Sequence, residues 1–210
     1  MVKPVELSII IPVFNEEPIL RELYTRLSQV CKSLGKAYEL VFIDDGSSDG
    51  SLGILRQLKA GDPAVRIIQF TRNFGQQAAV LAGFRLSRGD VVVQLDSDLQ
   101  HPPEEIPKLI AALREDVELV TTVPKKRNDS PLRVMGSSCL LWIGQIILGK
   151  QCELNLSSFR AMRRSVIEKI DACSDRSRYM AVLVSWMGVP TVEIEVEHHN
   201  RTKGKTKYSV

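Results

Sequence analysis

One pattern constrains this chain more than any other. Through its first half, short runs of β-branched and apolar residues alternate with segments of helical spacing, and a polar cluster follows each run. The runs at 7–13 (LSIIIPV), 38–43 (YELVFI), 65–70 (VRIIQF), 90–95 (DVVVQL) and 118–123 (ELVTTV) read as strands. They are too short for helices and rich in Val and Ile. Between the first two, residues 18–34 put Leu20, Leu23, Leu27 and Val30 on one helical face. Segments 51–58, 78–86 and 104–113 read as further helices, the last opened by Pro102-Pro103. Strands separated by helices have crossovers rather than hairpins, so the chain is predicted to form an α/β layered, mostly parallel sheet.

Asn15-Glu16-Glu17, Asp44-Asp45-Gly46-Ser47-Ser48-Asp49, Arg72-Asn73 and Asp96-Ser97-Asp98 come directly after successive strands. A turn or helix cap explains any one of them. Together they lie at the carboxyl edge of the predicted sheet, where open α/β sheets bind ligands, so they predict one shared site. Past residue 123 the pattern changes. A basic, turn-rich loop at 124–133 (PKKRNDSPLR) leads into a helical stretch to about residue 148. A short run at 156–159, helices over 163–170 and about 179–187, and a strand at 191–196 follow, before a basic end at 198–208 (HHNRTKGKTKY).

Composition narrows the function classes. A 210-residue chain with 44% hydrophobic and 25% charged residues suits one globular domain with a substantial core. A net charge of +3 is too small an excess to argue for nucleic acid. The four cysteines (Cys31, Cys139, Cys152, Cys173) form no C-x-x-C pair, so they read as scattered thiols in a reducing compartment. Residues 1–7 lack the apolar run of a signal peptide, and the N-x-S/T matches at Asn128, Asn155 and Asn200 are read as chance. The longest apolar run, 139–148 (CLLWIGQIIL), is shorter than the roughly 20 residues that span a bilayer.

Asp96-x-Asp98 is the central constellation. Two carboxylates two residues apart at a strand end can share a divalent cation, which a nucleoside diphosphate leaving group requires. In Asp44-Asp45-Gly46-Ser47, Ser48 or Asp49 can cap the next helix, while a carboxylate is available to a base or ribose. Phosphate-loop readings fail. No G-x-G-x-x-G follows the first strand, and Gly204-Lys205-Thr206 has His199 where a Walker loop needs glycine. His101, His198 and His199 show no zinc-ligand spacing.

Ile11-Pro12-Val13-Phe14-Asn15-Glu16, the Asp44–Asp49 cluster, Arg72-Asn73-Phe74-Gly75, Asp96-Ser97-Asp98-Leu99-Gln100-His101-Pro102-Pro103-Glu104 and Arg201-x-x-Gly204-x-Thr206-Lys207-Tyr208 occur in that order. With them the chain resembles the inverting family 2 glycosyltransferases of GT-A fold, in the branch that glycosylates polyprenyl phosphates. The resemblance covers essentially the whole chain. It implies a Rossmann-like single domain over 1–210, with 1–123 binding a nucleotide-sugar and 124–210 binding the acceptor. Pro12, Asn15, Glu16 or Glu17, Asp44 and Asp45 are then expected around the nucleoside, with Asn73 nearby. Asp96, Asp98 and Gln100 are expected to hold Mg²⁺ or Mn²⁺ and the diphosphate, and Arg201 and Lys207 to close over it. Arg127, Arg133 and Ser137 match acceptor-phosphate positions, and Arg160 matches an arginine after the next strand.

The expected reaction is inverting transfer of a sugar, from a UDP-sugar before GDP-mannose, to undecaprenyl or dolichyl phosphate. It is expected at the cytoplasmic face of a membrane, with homo-oligomerisation left open. The chain departs from the pattern in two ways. Leu154, Asn155 and Ser158 occupy a region where many relatives carry an aspartate, so a general base is missing there or supplied elsewhere. Relatives also usually continue into membrane helices beyond the segment that ends here at Val210, so a soluble part of a membrane enzyme is expected. The alternatives are a family 2 transferase with a hydroxyl acceptor and a non-catalytic nucleotide-sugar binding module.

Overall fold

The computed structural model describes residues 4–125, 157–172 and 188–199. The helices expected to about residue 148 and near 179–187, most of the basic loop and the end beyond residue 199 lie outside them. In chain order the elements are β1 (Leu7–Val13), α1 (Leu20–Ser33), β2 (Tyr38–Asp44), α2 (Ser51–Gly61), β3 (Val65–Gln69), α3 (Gln76–Leu86), β4 (Val91–Gln94), a 3₁₀ turn (Pro103–Glu105), α4 (Ile106–Ala112), β5 (Leu119–Pro124), β6 (Arg160–Arg163), α5 (Arg164–Ala172) and β7 (Thr191–Val196).

These strands form one seven-stranded sheet in the order β3-β2-β1-β4-β6-β5-β7. β1 pairs in parallel with β2 on one side and β4 on the other, and β2 pairs in parallel with β3. β6 alone runs antiparallel, between β4 and β5, while β5 and β7 pair in parallel. The mostly parallel expectation therefore stands, with one reversed strand. The run expected at 156–159 is corrected: the strand occupies Arg160–Arg163, so Arg160 opens it rather than following it. Pairing explains the shift, since Arg160 lies opposite Gln94 of β4 and Thr121 of β5.

Side-chain alternation along the strands feeds two cores. Leu7, Ile9, Ile11 and Val13 of β1 pack with Leu20, Leu23 and Leu27 of α1, Leu55 of α2 and Ile106 and Leu109 of α4. The apolar stripe seen in the sequence of α1 is the face buried here. On the opposite face Ile10, Val41, Ile43 and Val92 pack with Ala79, Val80 and Phe84 of α3 and Val166, Ile167 and Ile170 of α5. β1 is buried at every position because it carries neighbours on both edges and helices on both faces.

The two edges of β1 do not end together. Val91 N–H donates to the Glu6 carbonyl and Leu95 N–H to the Ile10 carbonyl, so even-numbered residues of β1 face β4. Pro12 is the next such residue, and its ring nitrogen has no proton to donate. On the β2 side pairing continues to Val13 and Asp44. The strands β1 and β4 therefore part at Pro12, and a crevice opens at the point where the connections switch from one face of the sheet to the other.

Glycine allows α3 to lie close on the sheet. A Cβ on Gly83 would stand 2.8 Å from the Ile43 side chain and closer still to Ile10. Gly53, in α2, has nothing within 4 Å of such an atom. Gly83→Val is expected to lower stability by about 1–3 kcal/mol through overpacking. Gly53→Ala is expected to raise it by up to about 1 kcal/mol through helix propensity. Thermal melts of the two variants check both signs.

Candidate active site

Four loops meet at the carboxyl edge of the sheet, and side chains cross-link each to the next. Asn15 accepts the Ser48 N–H on Oδ1 at 2.8 Å, while its own N–H donates to Ser47 Oγ. Asn15 has a φ of 55°, a left-handed conformation that asparagine tolerates better than most residues. Glu17 accepts the Gly50 N–H on Oε2 at 2.8 Å, and Asp49 accepts the Glu17 N–H. The Glu16 N–H donates to Ser51 Oγ in the first turn of α2. The loop after β1 is thereby fastened to the loop after β2.

Asp45 makes the next link. Its two carboxylate oxygens accept the backbone N–H groups of Phe74 (2.7 Å) and Gly75 (3.0 Å), and Asn73 Oδ1 also accepts the Gly75 N–H. Gly46 is required for this approach. Its φ is 70°, and a Cβ there would lie 2.5 Å from the Arg72 carbonyl carbon. Arg72 in turn stacks over the Phe74 ring at 4.8 Å, and Phe74 meets Phe70 edge-on.

The last link joins the loop after β3 to the end of β4. Gln76, the first residue of α3, donates from Nε2 to Asp96 Oδ1 at 2.6 Å. Asp96 Oδ2 accepts from Ser158 Oγ at 2.5 Å, which brings the later part of the chain into the same cluster. Asp98 Oδ1 accepts the Gln100 N–H. The Gln100 carbonyl accepts the His199 N–H, so the exit from β7 is tied to this loop as well.

Of the residues the sequence singled out, Pro12, Asn15, Glu16, Glu17, Asp44, Asp45, Asn73, Asp96, Asp98, Gln100 and Arg160 fall within the described residues. The first ten line this edge. Asn15, Glu17 and Asp45 are engaged in holding neighbouring loops, a task the sequence reading did not foresee for them. Asp44 differs: it is 1% exposed, and its Oδ1 has no hydrogen-bond partner. A buried carboxylate oxygen without a donor is costly unless a ligand supplies one. Arg127, Arg133, Ser137, Arg201 and Lys207 lie outside the described residues, as do Leu154 and Asn155.

Electrostatics single out Asp96. Withdrawal from water pushes its carboxyl up from the usual range, and the Asp98 charge adds to this, while Ser158, Arg160 and Gln76 pull the other way. Arg160 is buried, its Nε unpartnered, and burial lowers its guanidinium to about 10 although Asp96 opposes the shift. Two oxygen-donor carboxylates in a crevice, one of them with poorly compensated charge, suit a hard divalent cation. Among the described residues no group of three or more His, Cys, Asp or Glu side chains is clustered to hold a metal.

Gln76 and Ser158 were not identified as site residues from sequence. Nothing in the spacing distinguishes Gln76 from any polar residue at a helix start, and Ser158 reaches Asp96 only because β6 inserts beside β4.

His101 packs against Phe159 at 5.2 Å and His198 at 5.0 Å, and its Nδ1 is buried without a partner. Burial first, then the His198 charge, lower its pKa to about 4, with Asp98 opposing. The unfolded chain therefore binds this proton between about pH 6.5 and pH 4 while the folded chain does not. Stability is expected to fall on acidification through that window, by up to about 1.4 kcal/mol per pH unit. Denaturant midpoints across this range check the slope, which should be shallower in His101→Phe.

Residues 8–171 match the family described as Glycosyl transferase family 2. The chain is 41% identical over 208 residues to an undecaprenyl-phosphate 4-deoxy-4-formamido-L-arabinose transferase from Pseudomonas paraeruginosa, covering 98% of this chain and 61% of that protein. To the enzyme of the same name from Edwardsiella ictaluri it is 40% identical over 205 residues, covering 97% and 63%. The chain thus spans about three fifths of the length of these curated relatives. Among solved structures, it resembles glucosyl-3-phosphoglycerate synthase from Mycobacterium tuberculosis in complex with Mn²⁺, UDP and phosphoglyceric acid (TM-score 0.64, 22% identity, 94% of this chain and 72% of that one). It also resembles a mannosyltransferase from Pyrobaculum calidifontis in complex with GDP-Man and Mn²⁺ (TM-score 0.63, 18% identity, 92% and 57%). These likenesses show the fold, which is GT-A. With most of its length matched and its strand-end motifs gathered on one edge, the chain belongs to glycosyl transferase family 2.

Proposed function

We propose that this chain transfers a sugar from a nucleotide-sugar to a polyprenyl phosphate, with inversion at the anomeric carbon. The observation that carries the donor half is the crevice itself. It sets a buried Asp44 oxygen lacking a partner at one strand end and the Asp96/Asp98 pair two strands away. That arrangement suits a nucleoside at one end and a diphosphate at the other. The acceptor half rests on the curated relatives, whose names specify undecaprenyl phosphate. The solved structures that contain Mn²⁺ with UDP or GDP-Man support a divalent cation and leave both nucleotides as candidates, UDP first.

Asp96 and Asp98, with Gln100 beside them, would hold Mg²⁺ or Mn²⁺, whose charge stabilises the diphosphate as it leaves. Asp44 accepts hydrogen bonds from the base or ribose, and Pro12 forms the apolar floor where the strands part. Arg201 and Lys207 neutralise the diphosphate from the C-terminal segment. Arg127, Arg133 and Ser137 bind the acceptor phosphate, one of whose oxygens attacks the anomeric carbon. The bond from that carbon to the β-phosphate oxygen breaks, and its electron pair leaves with the nucleoside diphosphate. A phosphate monoester is already anionic at neutral pH, so no side chain has to take a proton from the nucleophile. We propose the cytoplasmic face of a membrane as the site of reaction, where a lipid acceptor would be presented.

Calorimetry with UDP and GDP in Mn²⁺, Mg²⁺ or EDTA tests the donor half. Tight binding is expected only with a cation, and Asp98→Ala should weaken it by about 10-fold or more. Binding that ignores both the cation and the substitution would overturn the assignment. For the acceptor half, nucleoside diphosphate release should require added undecaprenyl phosphate. Arg133→Ala should abolish that release while leaving donor binding intact. The rate should be nearly flat from about pH 6.5 to 8.5 apart from the acceptor's second ionisation, since no side chain acts as a base. A steep profile would favour a hydroxyl acceptor.

A further inference from the structure

We propose that Gln76 and Ser158 are positioning residues that clamp the Asp96 carboxylate in the orientation needed for the cation-bound nucleotide. The inference rests on the reading of Asp96 and Asp98 as the cation-binding pair. The two clamp residues come from opposite sides of β4, one from the first turn of α3 and one from the segment leading into β6. Each donates to a different oxygen, Gln76 Nε2 to Oδ1 at 2.6 Å and Ser158 Oγ to Oδ2 at 2.5 Å. A carboxylate held through both oxygens cannot rotate about its terminal torsion. Each oxygen still keeps lone-pair capacity for another ligand.

Both donors are neutral, which matters because of what lies nearby. The buried guanidinium of Arg160 attracts the Asp96 carboxylate. The two donors hold Asp96 against that attraction. Neutral donors hold the carboxylate in place without cancelling the charge that a cation needs.

The clamp is itself braced. Thr122 Oγ1 donates to the Phe159 carbonyl at 2.8 Å and lies 2.7 Å from Ser157 Oγ, holding the residue after Ser158 by its backbone and the residue before it by its side chain. On the other side Asp45 fixes the N–H groups of Phe74 and Gly75, the two residues before Gln76. Donors that orient a ligating side chain set its affinity for the metal, so losing either should weaken cation binding without unfolding the protein.

The test uses the whole chain with Mn²⁺ as probe, followed by electron paramagnetic resonance in the presence of UDP. Ser158→Ala and Gln76→Ala should each weaken Mn²⁺ binding by about 10- to 100-fold. Ser158→Thr, which keeps the hydroxyl, should restore wild-type affinity, and thermal melts should stay close to wild type in all three. Affinity for UDP in EDTA should not change. Wild-type Mn²⁺ affinity in both alanine variants would overturn the clamp. So would a loss that Ser158→Thr fails to restore, or an equal loss of UDP affinity in EDTA. Failure of the underlying site reading looks different: the wild-type protein itself would then bind UDP without regard to Mn²⁺.

Discussion

In an open α/β sheet the ligand crevice forms where two neighbouring strands part, and here a missing proton sets that point. Pro12 faces β4 on a strand whose other residues on that side accept from β4, and it has no N–H to return. The β1–β4 ladder ends there, while the β1–β2 ladder continues to Asp44. The proposed site is built around the resulting crevice. Asp44 leaves the sheet on one side of it and Asp96 and Asp98 on the other. A crossover helix on each face leaves the gap between them open.

An open crevice leaves loop backbone groups with no ladder to join, and buried N–H groups must find acceptors. The chain supplies them from its own acidic and amide side chains. Asn15, Glu17 and Asp45 each accept from the next loop, and Gln76 donates onward to Asp96. One continuous set of hydrogen bonds therefore runs across the carboxyl edge, from the exit of β1 to the exit of β4. A change far from Asp96, such as loss of the Asp45 carboxylate, would reach it through the loop that presents Gln76.

Much of this was legible in the sequence, because periodicity and position carry it. The β-branched runs gave β1 and β7 to the residue, and the stripe at Leu20, Leu23 and Leu27 is the buried face of α1. The placement of the acidic clusters after strands was enough to bring Asp44, Asp96 and Asp98 to one edge. Two things were not legible. The direction of β6 depends on which strand lies beside it, and a four-residue run carries no signal for that, so its start was placed too early. The tasks of Asn15, Glu17, Asp45, Gln76 and Ser158 depend on approaches between loops distant in sequence. No local pattern records that Gly46 lets the loop at Arg72 come within van der Waals reach.

The reversed strand also bears on how the chain is made. Among the described residues the sheet joins β5 to the first four strands through β6, which is synthesised after it. As the polypeptide leaves the ribosome, β1 to β4 can assemble in order from nearby segments, since helices bridge each successive pair. β5 must then wait, with Leu119 and Val120 unburied, until Arg160 to Arg163 emerge and slot in between. During that interval β5 has an unpaired edge and exposed apolar side chains, which makes it prone to aggregation and open to a chaperone. A pause in translation before Arg160 to Arg163 have left the ribosome would lengthen the exposure, whereas one after they have emerged would not.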